Sequence, residues 1–372
     1  MKPIYLDYAA TSPVAQCAKE EVIKYMDLFY NPSAAYAGAQ TVRQAIEEAR
    51  ASIASCVGAD PEEIFFTSGA TEGNNTIVNA LLHNISHNFI TTDIEHHSVL
   101  NLANPESYTL HVDYAGLVNP TDIVGAIDNN DLVSVIMVNN ETGMIQPIKD
   151  IARVVLKGHG YMHTDMTQAV GHIHIDCHDL NVDFATASGH KFGAPKGVGF
   201  MYIRKEVQCL ISPFMIGGGQ EFGMRSGTEN VAGIMAMAAA LKQSTDSLDA
   251  NLKHIKSISA YLKDELTKSG IDFSYNHPDE NHYSGINNIC LIGNRSEEVV
   301  EFLSLNNIYV SSGSACNTHD DKPSHVLLAM GLTPEQADAS IRVSVSAETT
   351  KEEIDALVKA LKLYNSLRSD EE

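Results

Sequence analysis

Glu63-Ile64-Phe65-Phe66-Thr67-Ser68-Gly69-Ala70-Thr71-Glu72-Gly73-Asn74-Asn75 passes from a short apolar run, through a glycine turn, into a segment with helical spacing. Strand, tight turn, helix is the unit from which mostly parallel sheets are built, with helices on both faces. The unit recurs outward from this stretch. Strand-like runs at Asn88–Thr92, Leu132–Val138, Tyr161–Asp165, Val182–Ala187 and Val198–Ile203 alternate with helical spacing at Val42–Val57, Thr71–Leu82, Thr121–Ile127, Ile148–Leu156 and Glu229–Leu241. Further helices are expected at Ile255–Ser269, Glu297–Asn306 and Lys351–Tyr364, with strands at Ile289–Ile292, Ile308–Ser311 and Ile341–Ser344. The expected class is α/β, with a smaller second domain after about residue 260 that the N-terminal residues join. In such folds, sites form at the carboxyl ends of strands.

Composition narrows the function. The chain has 372 residues, 44% of them hydrophobic, enough for a large core. Its formal charge of −22 repels nucleic acid and anionic membrane. Any protein partner is expected to offer a basic patch. No run of 18 apolar residues occurs, and Met1-Lys2-Pro3-Ile4 opens into a strand-like segment, so neither a membrane span nor a signal peptide is expected. Six cysteines at 17, 56, 177, 209, 290 and 316 form no CxxC pair, which fits a reducing cytoplasm rather than a disulfide or zinc framework.

Lys191 in Ser188-Gly189-His190-Lys191 and Cys316 in Ser311-Ser312-Gly313-Ser314-Ala315-Cys316 together suggest an amine that holds a carbonyl cofactor and a thiol that accepts sulfur. The Gly69 turn aims a helix N-terminus at its surroundings, which suits phosphate; an ordinary capped helix start reads the same way. Asp165 ends a strand, where its carboxylate could face a ring nitrogen, and aspartates are also common in such turns. Ser188 and His190 alternate, so both could serve one phosphate while Lys191 reaches the aldehyde end of the same ligand. That layout is the one expected for a Schiff base with pyridoxal phosphate. His159, His163, His172, His174 and His178 invite a metal reading, with His172 and His174 on one strand face, but their spacing matches no helix-borne ligand pair. No metal is expected.

The chain resembles the cysteine desulfurases, in the class V aminotransferase branch of fold type I pyridoxal phosphate enzymes. The resemblance rests on Tyr5-Leu6-Asp7-Tyr8-Ala9-Ala10-Thr11, Asn31-Pro32-Ser33, Thr67–Asn75, Glu95-His96, Asn139-Asn140-Glu141-Thr142-Gly143, Asp165 with Gln168, Ser188–Lys191, Gly217-Gly218-Gly219-Gln220-Glu221, Arg225-Ser226-Gly227-Thr228-Glu229-Asn230, Ser311–Cys316 and Ser340-Ile341-Arg342, in order along nearly the whole chain. It implies a large domain over 16–259 with a mostly parallel seven-stranded sheet. It also implies a smaller α+β domain, from 1–15 and 260–372, that carries the cysteine loop and the substrate arginine.

The implied activity converts L-cysteine to L-alanine and leaves the sulfur as a persulfide on Cys316. Lys191 is implied to bond the aldehyde of pyridoxal 5'-phosphate and Asp165 to pair with the ring nitrogen. Gln168 and Asn140 are implied to bond the ring hydroxyl, and His96 to stack on the ring and move protons. Ala70, Thr71, Ser188 and His190 are implied to hold the phosphate end, with Thr228 reaching in from a second subunit. Arg342 is implied to clamp the substrate carboxylate, a task suited to its fork, with Asn31 beside it. A homodimer, a sulfur-acceptor or iron–sulfur scaffold partner and a cytoplasmic location follow from the same resemblance. Tyr36, Ala39 and Phe222 depart from the family pattern, as does the pair Met166-Thr167. Selenocysteine lyase or a class V aminotransferase would share the fold.

Overall fold

The computed structural model describes residues 3–85, 88–312 and 323–369. In chain order the strands are β1 (Ile4–Tyr5), β2 (Ile64–Thr67), β3 (Phe89–Thr92), β4 (Tyr108–Leu110), β5 (Leu132–Ser134), β6 (Tyr161–Asp165), β7 (Phe184–Ser188), β8 (Gly199–Ile203), β9 (Phe273–Tyr275), β10 (Ile286–Leu291), β11 (Ile308–Tyr309), β12 (Ser311–Ser312) and β13 (Ser340–Ser344). Seven of them form the central sheet, in the order β2-β8-β7-β6-β5-β3-β4. All its pairings are parallel except the two made by β8, which runs against β2 and β7. Consequently β2, β3, β5, β6 and β7 all end on one edge.

Side-chain alternation sorts the sheet into two cores. Ile64, Phe66, Ile90, Val133, Met162, Ala185, Phe200 and Tyr202 face one cluster, with Ile46, Ile53 and Val57 of the helix Ala37–Val57. Phe65, Phe89, Leu132, Phe184, Met201 and Ile203 face the other, with Ile77, Val78 and Leu81 of the helix Ala70–Asn84. Each such side chain, fully buried, contributes roughly 1.5–3 kcal/mol. The helix Ala37–Val57 stops at Gly58, whose left-handed backbone (φ 62°) lets its N–H return to Ala54.

The second sheet is antiparallel, in the order β12-β13-β10-β9. β1 pairs in parallel with β11, and the Ala9 N–H donates to Ser344 Oγ at 2.9 Å. The N-terminal residues are therefore stitched to the C-terminal part of the chain. The helix Leu248–Ser269 carries the chain from the first sheet toward the second. Tyr261 on that helix donates to Asp355 on the helix Lys351–Ser369 at 2.7 Å.

Four expectations differ from what forms, the first being the strand expected over Leu132–Val138, which ends at Ser134. Residues 121–127 do not make an α-helix; a 3-10 turn occupies Pro120–Ile123, with the Asn119 side chain capping it. Ile308–Ser311 is not one strand but two short ones in different sheets, β11 and β12. His172 and His174 lie outside any strand. Among the described residues, no helix is long and apolar enough to cross a membrane.

Candidate active site

The carboxyl edge of the central sheet brings the candidate residues together. Asp165 is the last residue of β6 and stands opposite Thr186 of β7. Buried, it accepts a hydrogen bond from Thr167 N–H at 3.0 Å and one from Asn74 Nδ2 at 2.9 Å. β7 ends at Ser188, whose Oγ accepts the Ala70 N–H at 2.8 Å. The first turn of the helix Ala70–Asn84 is thereby fixed against the strand end. Gly199 of β8 lies between the two: a Cβ there would fall 2.4 Å from Ala187 O and 2.6 Å from Gly69 Cα. Only glycine allows that backbone approach.

Beyond Ser188 the chain turns tightly through Gly189–Lys191. Lys191 Nζ donates to Ala9 O at 2.6 Å and Ala10 O at 2.9 Å, and Gln168 Nε2 donates to the same Ala9 O at 2.7 Å. His190 Nδ1 lies 3.1 Å from Thr11 Oγ1. Burial, then Lys191 and Lys196, push its pKa down to about 4, so its ring is neutral near pH 7. His96 caps the short helix His97–Leu100, its Nδ1 accepting the Ser98 N–H at 3.1 Å. Burial is the main cause of its lowered pKa; Lys191 and His97 add to the lowering and Asp165 opposes it.

Arg342 sits on β13 and is 3% exposed. Its Nη2 donates to Asp7 Oδ1 at 2.8 Å and its Nη1 to Asn140 O at 2.9 Å, while Nε has no partner among the described residues. Asn139 shapes the loop that presents Asn140: its Oδ1 accepts from Glu141 N–H and Thr142 N–H, and its Nδ2 reaches Ile94 O. Cys316 lies outside the described residues, but the chain on either side of it is placed. Ser311 pairs with Arg342 across the β12–β13 ladder. On the other side, Ser324 Oγ donates to Glu141 Oε2 at 2.5 Å. Burial pushes the Glu141 carboxyl up to about 7, against the pull of Ser324 and Arg342.

Other expected residues make none of these bonds. Asn31 is exposed and accepts the Ser33 N–H at 2.9 Å within its own turn. Thr71 and Thr228 are exposed. The run holding Thr228 is tied to the helix Ala70–Asn84 by Arg225, which donates to both oxygens of Glu72 at 2.8 and 3.2 Å. Phe222 is 70% exposed, with its ring over the buried Arg50 guanidinium at 5.1 Å, and Arg50 pairs with Glu221 at 2.7 Å. Tyr36 packs edge-on to Tyr30, and Ala39 is fully buried.

The clustered histidines separate in space. His163 bonds Ser134, His172 reaches Lys191 O, His174 pairs with Asp249 and His178 with Glu63. Of the five cysteines among the described residues, Cys177 and Cys290 are buried, Cys17 and Cys56 half-buried and Cys209 exposed.

Sequence reasoning missed Asp7, Asn74, Ser98 and Glu141. Asp7 and Glu141 carry a signal, since each is a carboxylate inside a largely apolar or small-residue run. Asn74 and Ser98 carry none, because their partners are set by tertiary packing.

The donor set suits a phosphate-bearing pyridine aldehyde: a helix start and a hydroxyl for phosphate, a carboxylate for a ring nitrogen, an amine for the aldehyde. Thr167 Oγ1, buried without a partner among the described residues, has capacity for one more bond. Comparison with known proteins agrees. The family described as Aminotransferase class-V matches residues 4–357. A cysteine desulfurase IscS of Dictyoglomus turgidum is 37% identical over 380 residues, covering 99% of this chain and 96% of that one. A second, from Methanosarcina thermophila, is 36% identical over 371 residues, covering 97% and 91%. Among solved structures, a NifS-like protein superposes with a TM-score of 0.91 at 34% identity, over 98% of this chain and 100% of its own. SspA in complex with cysteine superposes with 0.80 at 34% identity, over 93% and 99%.

Proposed function

We propose a division of labour among residues from one premise: the chain belongs to the class V aminotransferase family and is a cysteine desulfurase. The cofactor is pyridoxal 5'-phosphate, which when bound supplies an aldehyde that captures amines and a ring that accepts electrons. Lys191 would be the amine that holds it and, as a free amine, the base that moves the substrate's α-proton. Asp165 would pair with the ring nitrogen. Gln168 and Asn140 serve the ring hydroxyl. Ala70, Thr71, Ser188 and neutral His190 hold the phosphate, with Thr228 assigned across a homodimer. His96 would stack on the ring.

Arg342 binds the carboxylate of L-cysteine, with Asn31 beside it. Cys316, as thiolate, attacks the substrate sulfur; the carbon–sulfur bond breaks, a sulfur–sulfur bond forms, and alanine leaves once its carbon is protonated. No external oxidant is needed. The persulfide then passes to an acceptor, either an iron–sulfur scaffold or a thio-modification protein. The −22 charge favours an acceptor with a basic face, and a cytoplasmic location suits a thiol-based relay. We assign 16–259 to a large domain, and 1–15 with 260–372 to a small one. That boundary falls inside the helix Leu248–Ser269.

The observation that carries this reading is the ladder pairing of Ser311 with Arg342. It roots the cysteine-bearing segment beside the residue assigned to the substrate carboxylate. The test is Cys316→Ala. The variant should bind cofactor and absorb near ~410–420 nm, as expected of a lysine-bound pyridoxal, yet lose alanine formation from cysteine. Alanine formation at the wild-type rate would overturn the assignment of Cys316, and a keto acid product would favour the aminotransferase.

A further inference from the structure

Two side chains, Asn74 and Ser98, link Asp165 to His96 through direct hydrogen bonds. Asn74, fully buried, spends both amide hydrogens: one on Asp165 Oδ2 at 2.9 Å, the other on Ser98 Oγ at 2.8 Å. Its Oδ1 accepts from Thr186 Oγ1 at 2.5 Å. The flipped amide would aim its oxygen at the carboxylate, so the charge on Asp165 fixes which way Asn74 points. Ser98 Oγ, already an acceptor from Asn74, lies 2.7 Å from His96 Nδ1 and has its own proton left to donate there. The Ser98 backbone N–H points at the same nitrogen, at 3.1 Å. A backbone N–H can only donate, so Nδ1 must be the ring's unprotonated nitrogen. The neutral ring then carries its proton on Nε2, which has no protein hydrogen-bond partner among the described residues.

We propose that Asn74 and Ser98 are positioning residues: they transmit the orientation of Asp165 to His96 and lock its ring as the Nε2–H tautomer. One carboxylate then performs two tasks, facing the ring nitrogen of the cofactor directly and aiming the histidine above it through two intermediaries. The catalytic relevance rests on the function proposed above; the tautomer lock does not. The charged and titratable groups that face His96 are Asp165, Lys191, His97 and His325, the last packed on His97 with ring centroids 4.9 Å apart.

The test needs no bound cofactor. Nitrogen-15 spectra of histidine-labelled, cofactor-free protein, with His96 identified by its loss in His96→Gln, read the tautomer directly. Wild type should give a pyridine-like Nδ1 and a protonated Nε2. Ser98→Ala keeps the backbone N–H but removes the hydroxyl. It should move the tautomer ratio toward Nδ1–H by about fivefold, the size of one ordinary neutral hydrogen bond. His96 should also titrate higher, because the lost bond stabilised only the neutral ring. Ser98→Thr, which retains a hydroxyl, should restore both readouts, an outcome that a merely structural role for Ser98 would not produce. Asn74→Ala tests the chain from its other end and should shift the ratio in the same direction by less. Unchanged His96 signals in Ser98→Ala and Asn74→Ala overturn the proposal whatever the activity. A wild type with locked His96 that does not turn over cysteine would overturn the proposed function and leave the lock standing.

Discussion

Asp165 and Arg342 are both buried charges at one site, yet they are held in opposite ways. Asp165 takes its bonds from Thr167 and Asn74, within the central sheet and the helix packed on it. Arg342 is held from outside its own sheet, by Asp7, 335 positions away, and by the Asn140 carbonyl, 202 positions away. One of its donors, Nε, has no partner among the described residues. The first half of the site is preorganised, which suits the role proposed for Asp165, since a group that stabilises developing charge works best when already held in place. The second half is assembled from three chain segments and keeps capacity for another carboxylate. On the proposed assignment, the difference teaches where binding energy would enter: the half assigned to the cofactor is fixed by folding, and the half assigned to the substrate would be completed by its ligand.

The largest expected effect lies on the fixed side. Lys191→Arg keeps a charge but cannot bond an aldehyde or return a proton at neutral pH. The proton-transfer role alone predicts a fall of about 10²–10⁴ in kcat, with loss of the ~410–420 nm absorbance of the lysine-bound cofactor. Steady-state alanine formation measures the first and a spectrum the second. Turnover at the wild-type rate would dissolve the comparison, because no fixed half would then exist.

On the assembled side, Arg342→Lys replaces a fork by a point charge. A charge-assisted hydrogen bond is worth about 1.5–3 kcal/mol, so KM for cysteine should rise roughly 10–100-fold while cofactor absorbance is unchanged. If the variant instead lost its cofactor, the two halves would not be separable.

These two predictions bear on different degrees of legibility in the sequence. The fixed half was readable, because strand ends are marked by a change of pattern: Asp165, Ser188, Lys191 and the Ala70 helix start all sit at such points. The assembled half was legible only through the family resemblance, which pointed to Arg342, Asn140 and Asn31 but not to the contacts that hold Arg342. Nothing near Asp7 announces Arg342, since their contact depends on β1 pairing with β11 and on the Asp7–Ser344 bridge. The reversal of β8 was equally hidden, because an apolar run bears no sign of strand direction. The helix Gln16–Asp27 escaped notice for another reason: only Ala18 and Tyr25 are buried along it, so it shows little apolar stripe.

Glu141 sharpens the contrast through pH. Its carboxyl pKa, pushed up to about 7 by burial, lies above the value of about 4.3 expected in the unfolded chain. The folded state therefore binds more protons between those values, and stability falls as pH rises through that window, levelling off above it. Glu141→Gln keeps an acceptor for Ser324 and removes the titration. It should be more stable than wild type at pH 8, by on the order of 4 kcal/mol, and nearly equal to it at pH 4. Denaturant midpoints at the two pH values measure this, and an equal gain at both would assign the effect to packing instead.

The smallest expected effect separates the residues within the assembled half. Asn31 is exposed and already occupied by the Ser33 N–H, an Asx turn of the kind that holds a loop without a ligand. If it also reaches the substrate beside Arg342, it does so as a neutral group in water, where one hydrogen bond nets about 0.5–1.5 kcal/mol. Asn31→Ala should then raise KM for cysteine about threefold, with kcat and cofactor absorbance unaltered. An unchanged KM would confine Asn31 to its turn. An increase as large as that of Arg342→Lys would mean that the turn at 31–33 is buried when substrate binds, and the assembled half would then comprise four segments rather than three.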